Sequence, residues 1–209
     1  MDWEEWRHCW TEFHRHTAAH VIDIMRHRYI RSLDIAAVQF KLSLQVGALP
    51  GAVDQRLTYM QYGRLGIEKQ DLQLSPDDVA LGQTALQHTA TFALALAIDS
   101  AFERLVPDRF NCRNPDIAVA ARIARILRNA FSHDPFFPRW ICTNPNHRGM
   151  FAIPGVISLD TTVVNGQDVD WRHYGGPLAL LRFLRHCQGL LITTDDHDSG
   201  GDEEATPPP

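Results

Sequence analysis

The segment Arg128-Asn129-Ala130-Phe131-Ser132-His133 puts a permanent cation, an amide and an imidazole within six residues. On a helix, Asn129 and His133 lie four apart and share a face. Arg128 sits about 100° around from Asn129, and its long side chain reaches the same point. Such a set suits phosphodiester cleavage: the histidine moves a proton, the arginine stabilises charge on the phosphate, and the asparagine holds a hydroxyl or a phosphate oxygen. Arg122 and Arg125 approach the segment at steps of three and four, which makes them substrate-binding candidates along a phosphate track. The plainer reading of the same residues is structural. Arg122 and Arg125 then line a solvated helix face, His133 caps the last carbonyls, and Arg128 pairs with an acid such as Asp99 or Asp134.

Helices must position these groups. Ser75-Pro76-Asp77-Asp78 is a helix start, with a serine cap, an early proline and acids at the positive end of the dipole. The helix it opens should run to about Leu105, and its alanine-rich centre, Ala90 to Ile98, suits the buried hub of a bundle. Asn114-Pro115-Asp116 repeats the signal and starts a helix that should reach Ser132, stopped by Asp134-Pro135. Upstream, Trp3, Trp6, Trp10, Phe13, Thr17, Val21 and Ile24 recur at helical steps from about Asp2 to the late twenties. Residues 35–46 fit both periods, since Val38, Phe40, Leu42, Leu44 and Val46 alternate like a strand, while Ile35, Val38, Leu42 and Val46 fit a helix; the neighbouring helices favour helix. Residues 51–74 are weakly patterned. Short apolar runs at Arg139–Cys142, Met150–Ile153 and Val156–Leu159, with a hairpin signal at Asn165-Gly166, predict a small β insertion over 139–172. A last helix follows Gly175-Gly176-Pro177, from Leu178 to about Leu191. The expectation is one mainly α domain over 1–191, an antiparallel helical bundle with that insertion, and a disordered acidic, proline-rich tail at 192–209.

RNAFSH, at the end of a capped amphipathic helix, resembles the R-N-x-x-x-H form of the motif of HEPN domains, the higher eukaryotes and prokaryotes nucleotide-binding class. The layout over 76–133 agrees with that family. The resemblance implies a metal-independent endoribonuclease that needs no cofactor, often a toxin or defence effector, in which two protomers join their motifs into one site. Arg128, Asn129 and His133 would be its catalytic set, RNA its substrate, and a second copy and an antitoxin or regulatory protein its partners. Two departures point to a divergent bacterial branch. Pro135 stands where toxins of the antitoxin-paired subgroup often carry a tyrosine, and the β insertion lies outside the minimal bundle. The competing implication is a non-catalytic module of the same type, binding a nucleotide, a nucleic acid or a protein.

Charge is consistent with a local site rather than a broad one. The chain carries −5, but six acids lie in the tail after Gly189 with no lysine or arginine, so residues 1–188 carry +1. A near-neutral body does not advertise extended nucleic-acid binding. No apolar run suits a bilayer, and the acidic start lacks a signal peptide's character, so a cytoplasmic protein with no membrane partner is expected. Cys9, Cys112, Cys142 and Cys187 form no CxxC pair and read as reduced thiols. Two weaker metal spacings, His16/His20/Asp23 and Cys142/His147, lack a full ligand set. Trp3, Trp6 and Trp10 read as core or dimer anchors, with a partner-binding ridge as the alternative.

Overall fold

The computed structural model describes residues 3–48, 59–62, 65–68 and 74–193, with side chains described over 20–46 and 74–193. The chain is mainly helical. Helix α1 runs unbroken from Trp3 to Ala48, which resolves the ambiguous stretch as helix. Its inner face is Leu33, Ala36, Ala37, Phe40 and Ser43, all buried, whereas Ile35, Val38 and Leu42 are exposed. The bulky apolar residues that produced the strand-like alternation therefore divide between two sides of one helix. Two alanines and a serine on the inner side permit close approach of the neighbouring helix.

An antiparallel hairpin follows, β1 (Tyr59–Tyr62) against β2 (Leu65–Glu68), with Tyr62 opposite Leu65. It falls within the segment that carried little pattern. Helix α2 spans Pro76–Leu105, as its start signal requires. The Ser75 hydroxyl accepts from Asp78 N at 3.2 Å, while the Asp78 carboxylate accepts from Ser75 N at 2.9 Å and from its hydroxyl at 2.7 Å. This is a closed capping box, in which each residue's backbone N–H donates to the other's side chain. Helix α3, Pro115–Ser132, begins in the same way, with Asn114 Oδ1 accepting from Asp116 N at 3.0 Å.

Three contacts fix the relative direction of α2 and α3. Phe92 stacks on Phe131, Asp99 meets Arg125, and Arg122 bonds the carbonyl of Phe110, just beyond the end of α2. Sequence numbers rise on one side as they fall on the other, so the two helices are antiparallel. Gln83 near the start of α2 donates to the carbonyl of Val46 near the end of α1. Gln188 of α5 (Gly176–Thr193) donates to Asp34 of α1. These four helices surround a core that includes Leu94, Ile98, Phe102, Ile123, Leu127, Phe131, Phe183 and Leu184.

The predicted β insertion is present, with a different turn. Strands β3 (Met150–Ile153) and β4 (Ile157–Asp160) pair antiparallel across Pro154-Gly155, where Gly155 has φ +71°. Asn165-Gly166 instead follows the short helix α4 (Thr161–Val164) and turns the chain back beside residues 138–140. There Gly166 N donates to Trp140 O, Trp140 N to Gln167 O, and Val169 N to Pro138 O. The ends of the insertion thus meet and clamp it. Trp140 is fully buried at this junction, donating its indole N–H to His173 Nδ1 at 2.8 Å and meeting the Tyr174 ring edge-on.

No helix among the described residues is long and apolar enough to cross a membrane. The tail at 194–209 lies outside the described residues.

Candidate functional site

Helix α3 buries Ile117, Ala120, Ala121, Ile123, Ala124, Leu127 and Phe131. At the border of that face stand Arg122, Arg125, Arg128 and Asn129, half-buried. A helix carrying one arginine every three residues beside its core face must either give the guanidinium groups partners or leave costly cations at the margin. Most of the partners come from α2 and the loops.

Asp99 of α2 is the principal anchor, with its side chain only 4% exposed. Its Oδ1 accepts from Arg125 Nε at 2.8 Å, and its Oδ2 lies 4.0 Å from Arg128 Nε. Glu103, one turn on, has its Oε1 3.5 Å from both Arg125 Nη2 and Arg109 Nη2. Arg122 donates to the carbonyls of Phe110 and Asn146 at 3.1 and 3.2 Å, and its guanidinium stands over the Phe110 ring. The two substrate-binding candidates, Arg122 and Arg125, are thus engaged in tying α3 to α2 and to the insertion.

Arg128 differs from them. Its Nη1 donates to the Asn129 side-chain oxygen at 3.0 Å, and its Nε is buried with no hydrogen-bond partner. Its side chain is 36% exposed. Asn129 and Arg128 therefore share one polar unit, half open to solvent. His133 is the C-cap residue of α3 with helical backbone angles (φ −85°, ψ −41°), so it continues the face that Asn129 begins. It is exposed. The structure brings Arg128 and Asn129 into contact around Asp99 and leaves His133 one turn beyond them.

Three arginines (109, 125, 128) face two acids (Asp99, Glu103), and Arg122 bonds backbone carbonyls beside them, so these four guanidinium groups outnumber the two carboxylates by two. His147, in the 3₁₀ turn Pro145–His147, belongs to the same neighbourhood. Burial pushes its imidazole below the ordinary value, the Arg125 and Arg122 charges push it further, and Asp99 opposes them. The sequence suggested His147 only as a companion of Cys142; its position near Arg122 and Arg125 is set by the fold of the insertion and has no local signature.

Compared with family models, curated proteins and solved structures, the chain finds no match.

Of the weaker candidates, His20 and Asp23 are exposed on α1, where Asp23 lies 3.9 Å from His27, and the side chain of His16 is outside the described residues. Cys142 is buried, which pushes its thiol upward, and its carbonyl accepts from Arg148 Nε. Among the described residues, no three His, Cys, Asp or Glu side chains gather at metal-binding distance. The side chains of Trp3, Trp6 and Trp10 lie outside the described residues.

Proposed function

We propose that the chain is a metal-independent endoribonuclease of HEPN type, acting as a homodimer, a toxin or defence effector held in check by an antitoxin or regulatory protein. One observation carries the reading. The Arg128–Asn129 pair, half open to solvent in a net-positive cluster, lies one helical turn from an exposed His133 at the end of the same helix. That arrangement joins a cation for a phosphate to a proton carrier, the minimum for phosphoryl chemistry without a metal.

In this reading His133 takes the proton of a ribose 2′-hydroxyl. The 2′-oxygen attacks the adjacent phosphorus, and the bond to the 5′-oxygen of the next nucleotide breaks. That oxygen leaves with a proton from the second protomer's imidazolium. The products are a 2′,3′-cyclic phosphate and a 5′-hydroxyl. Arg128 neutralises charge on the pentavalent phosphate, and Asn129, bound to it, orients the reacting groups.

A non-catalytic module binding a nucleotide, nucleic acid or protein is the second reading. Asp99, 4.0 Å from Arg128, favours it, because that pairing is what a purely structural arginine would show. Purified protein incubated with a mixed RNA pool in EDTA separates the two. Cutting that disappears in both His133→Ala and Arg128→Ala supports the nuclease. Intact RNA with folded dimeric protein, together with RNA binding that survives His133→Ala, supports the module.

A further inference from the structure

Helix α1 carries a second apolar row on the side away from the core. Ile35, Val38 and Leu42 are 52%, 62% and 56% exposed, while Leu33, Ala36, Ala37 and Phe40 between them are buried. At steps of three and four the exposed residues share one face. At 100° per residue that face lies opposite the buried one. Scattered exposed apolar residues need no explanation, but a contiguous row marks a contact surface. Steps of three and four are also the spacing of the seam between paired helices.

The residues around the row indicate what covers it. Asp34 and Lys41, both exposed, lie seven apart on one flank, and exposed Gln39 lies on the other. Arg31 and Gln45 continue the row at its two ends. Asp34 Oδ1 accepts from Gln188 Nε2 at 3.0 Å, which holds the carboxylate in place and leaves Oδ2 for a cation. Lys41 meets no acid among the described residues.

An antiparallel second copy, related by a two-fold axis at Val38, matches this pattern throughout. Ile35 of one copy then faces Leu42 of the other, and the two Val38 side chains meet on the axis. The axis turns each flank onto the same flank of the second copy. Asp34 of each copy therefore faces Lys41 of the other, with their Cα levels only about 1.5 Å apart. Gln39 faces Gln39, and Arg31 falls opposite Gln45, so no like charges are opposed. Parallel pairing sets Asp34 beside Gln39 and leaves Lys41 without an acid.

We infer that the outer face of α1 is a self-association surface, on which a second copy of this chain docks antiparallel through Ile35, Val38 and Leu42, with two Asp34–Lys41 ion pairs. Three apolar side chains per copy make a small interface of the weak, transient class. It is separate from the contact that the nuclease reading places at His133. The α1 row faces away from α2, whereas α3 packs on the far side of α2. The inference stands whether or not RNA is cut, and with the His133 contact it would link dimers into a larger assembly.

The test uses the full-length chain with Cys9 and Cys112 replaced by serine, in a glutathione redox buffer at low salt. Val38→Cys should form a disulfide-linked dimer at least about 10-fold faster than Val163→Cys, because the axis holds its two thiols together. Val163 lies in the insertion and is 65% exposed, so it reports random collision. Ile35→Cys mixed with Leu42→Cys should give the mixed disulfide, with little of either homodimer. Lys41→Asp or Asp34→Lys alone should slow the Val38→Cys reaction about 3- to 30-fold, and the two together should restore it. All these positions are exposed, and circular dichroism checks that each variant is folded. Val38→Cys linking no faster than Val163→Cys overturns the contact. Homodisulfides dominating the Ile35→Cys and Leu42→Cys mixture overturn its antiparallel form. Charge reversals whose effects add instead of cancelling overturn the Asp34–Lys41 pairing.

Discussion

Asp99→Asn is the perturbation on which the architecture of the site depends most directly. The side chain keeps its volume and one oxygen for Arg125 but loses the charge that faces two guanidinium groups. With Arg125 at 2.8 Å and Arg128 at 4.0 Å, the charge centres stand about 4–5 Å from the carboxylate. At an effective dielectric of about 20 each attraction is worth about 3–4 kcal/mol before desolvation is subtracted. Breaking a wholly buried pair costs about 3–5 kcal/mol. Here the carboxylate is buried, but Arg125 and Arg128 are 22% and 36% exposed and therefore partly screened. A net loss of about 2–3 kcal/mol is expected, a fall in Tm of about 4–12 °C for a chain of this size. Urea unfolding of the parent, Asp99→Asn, Arg125→Met and the double variant supplies the measurement. The two single losses together should exceed the double loss by at least about 1 kcal/mol, because both remove the same charge–charge attraction. Single losses that add to within about 0.5 kcal/mol, or an Asp99→Asn loss smaller than that, would refute Asp99 as the anchor of the arginine cluster.

Three further predictions follow from local geometry. His147 is held below its ordinary value of 6.5 in the folded state, so the unfolded chain binds more protons once the pH falls beneath that value. Stability should therefore decline as pH drops through 6.5 toward the lower folded value, and His147→Gln should flatten the decline in urea unfolding between pH 5 and 7.5. Gly175 has φ +94°, and a Cβ there would stand 3.2 Å from the Ala179 Cβ. Gly175→Ala should cost about 1–2 kcal/mol by calorimetry, from the left-handed backbone and the close approach. Ser75→Ala should cost about 1 kcal/mol by opening the capping box of α2. The Ser75 hydroxyl and N–H hold the Asp78 carboxyl below the usual carboxylate range, so the box's contribution is complete at neutral pH and is lost on acidification below that range. In Ser75→Ala that acid-side loss should shrink.

What could be read along the chain, and what could not, divides by the range of the interaction. The caps at Ser75 and Asn114 are decided within four residues, and α2 and α3 start where those residues require. The strands β3 and β4 likewise follow their apolar runs. Asn165-Gly166 is a true turn, with Gly166 at positive φ, yet its partner segment is 138–140 rather than a neighbouring strand, which dipeptide chemistry does not encode. In α1 the periodicity of Ile35, Val38 and Leu42 is helical but faces outward, because Ala36, Ala37 and Ser43 allow α2 closer on the other side. Spacing identifies the element there, and packing chooses the face. The same division governs the site. The Arg128–Asn129–His133 spacing was visible because one helix carries all three. Asp99, which the sequence offers only as one of two acids for Arg128, also takes Arg125. A helix presenting Arg122, Arg125 and Arg128 in sequence offers three equivalent cations. The antiparallel register of α2 against α3 makes them unequal: Arg125 pairs with Asp99, Arg122 bonds backbone carbonyls, and Arg128 bonds Asn129 and stays partly exposed.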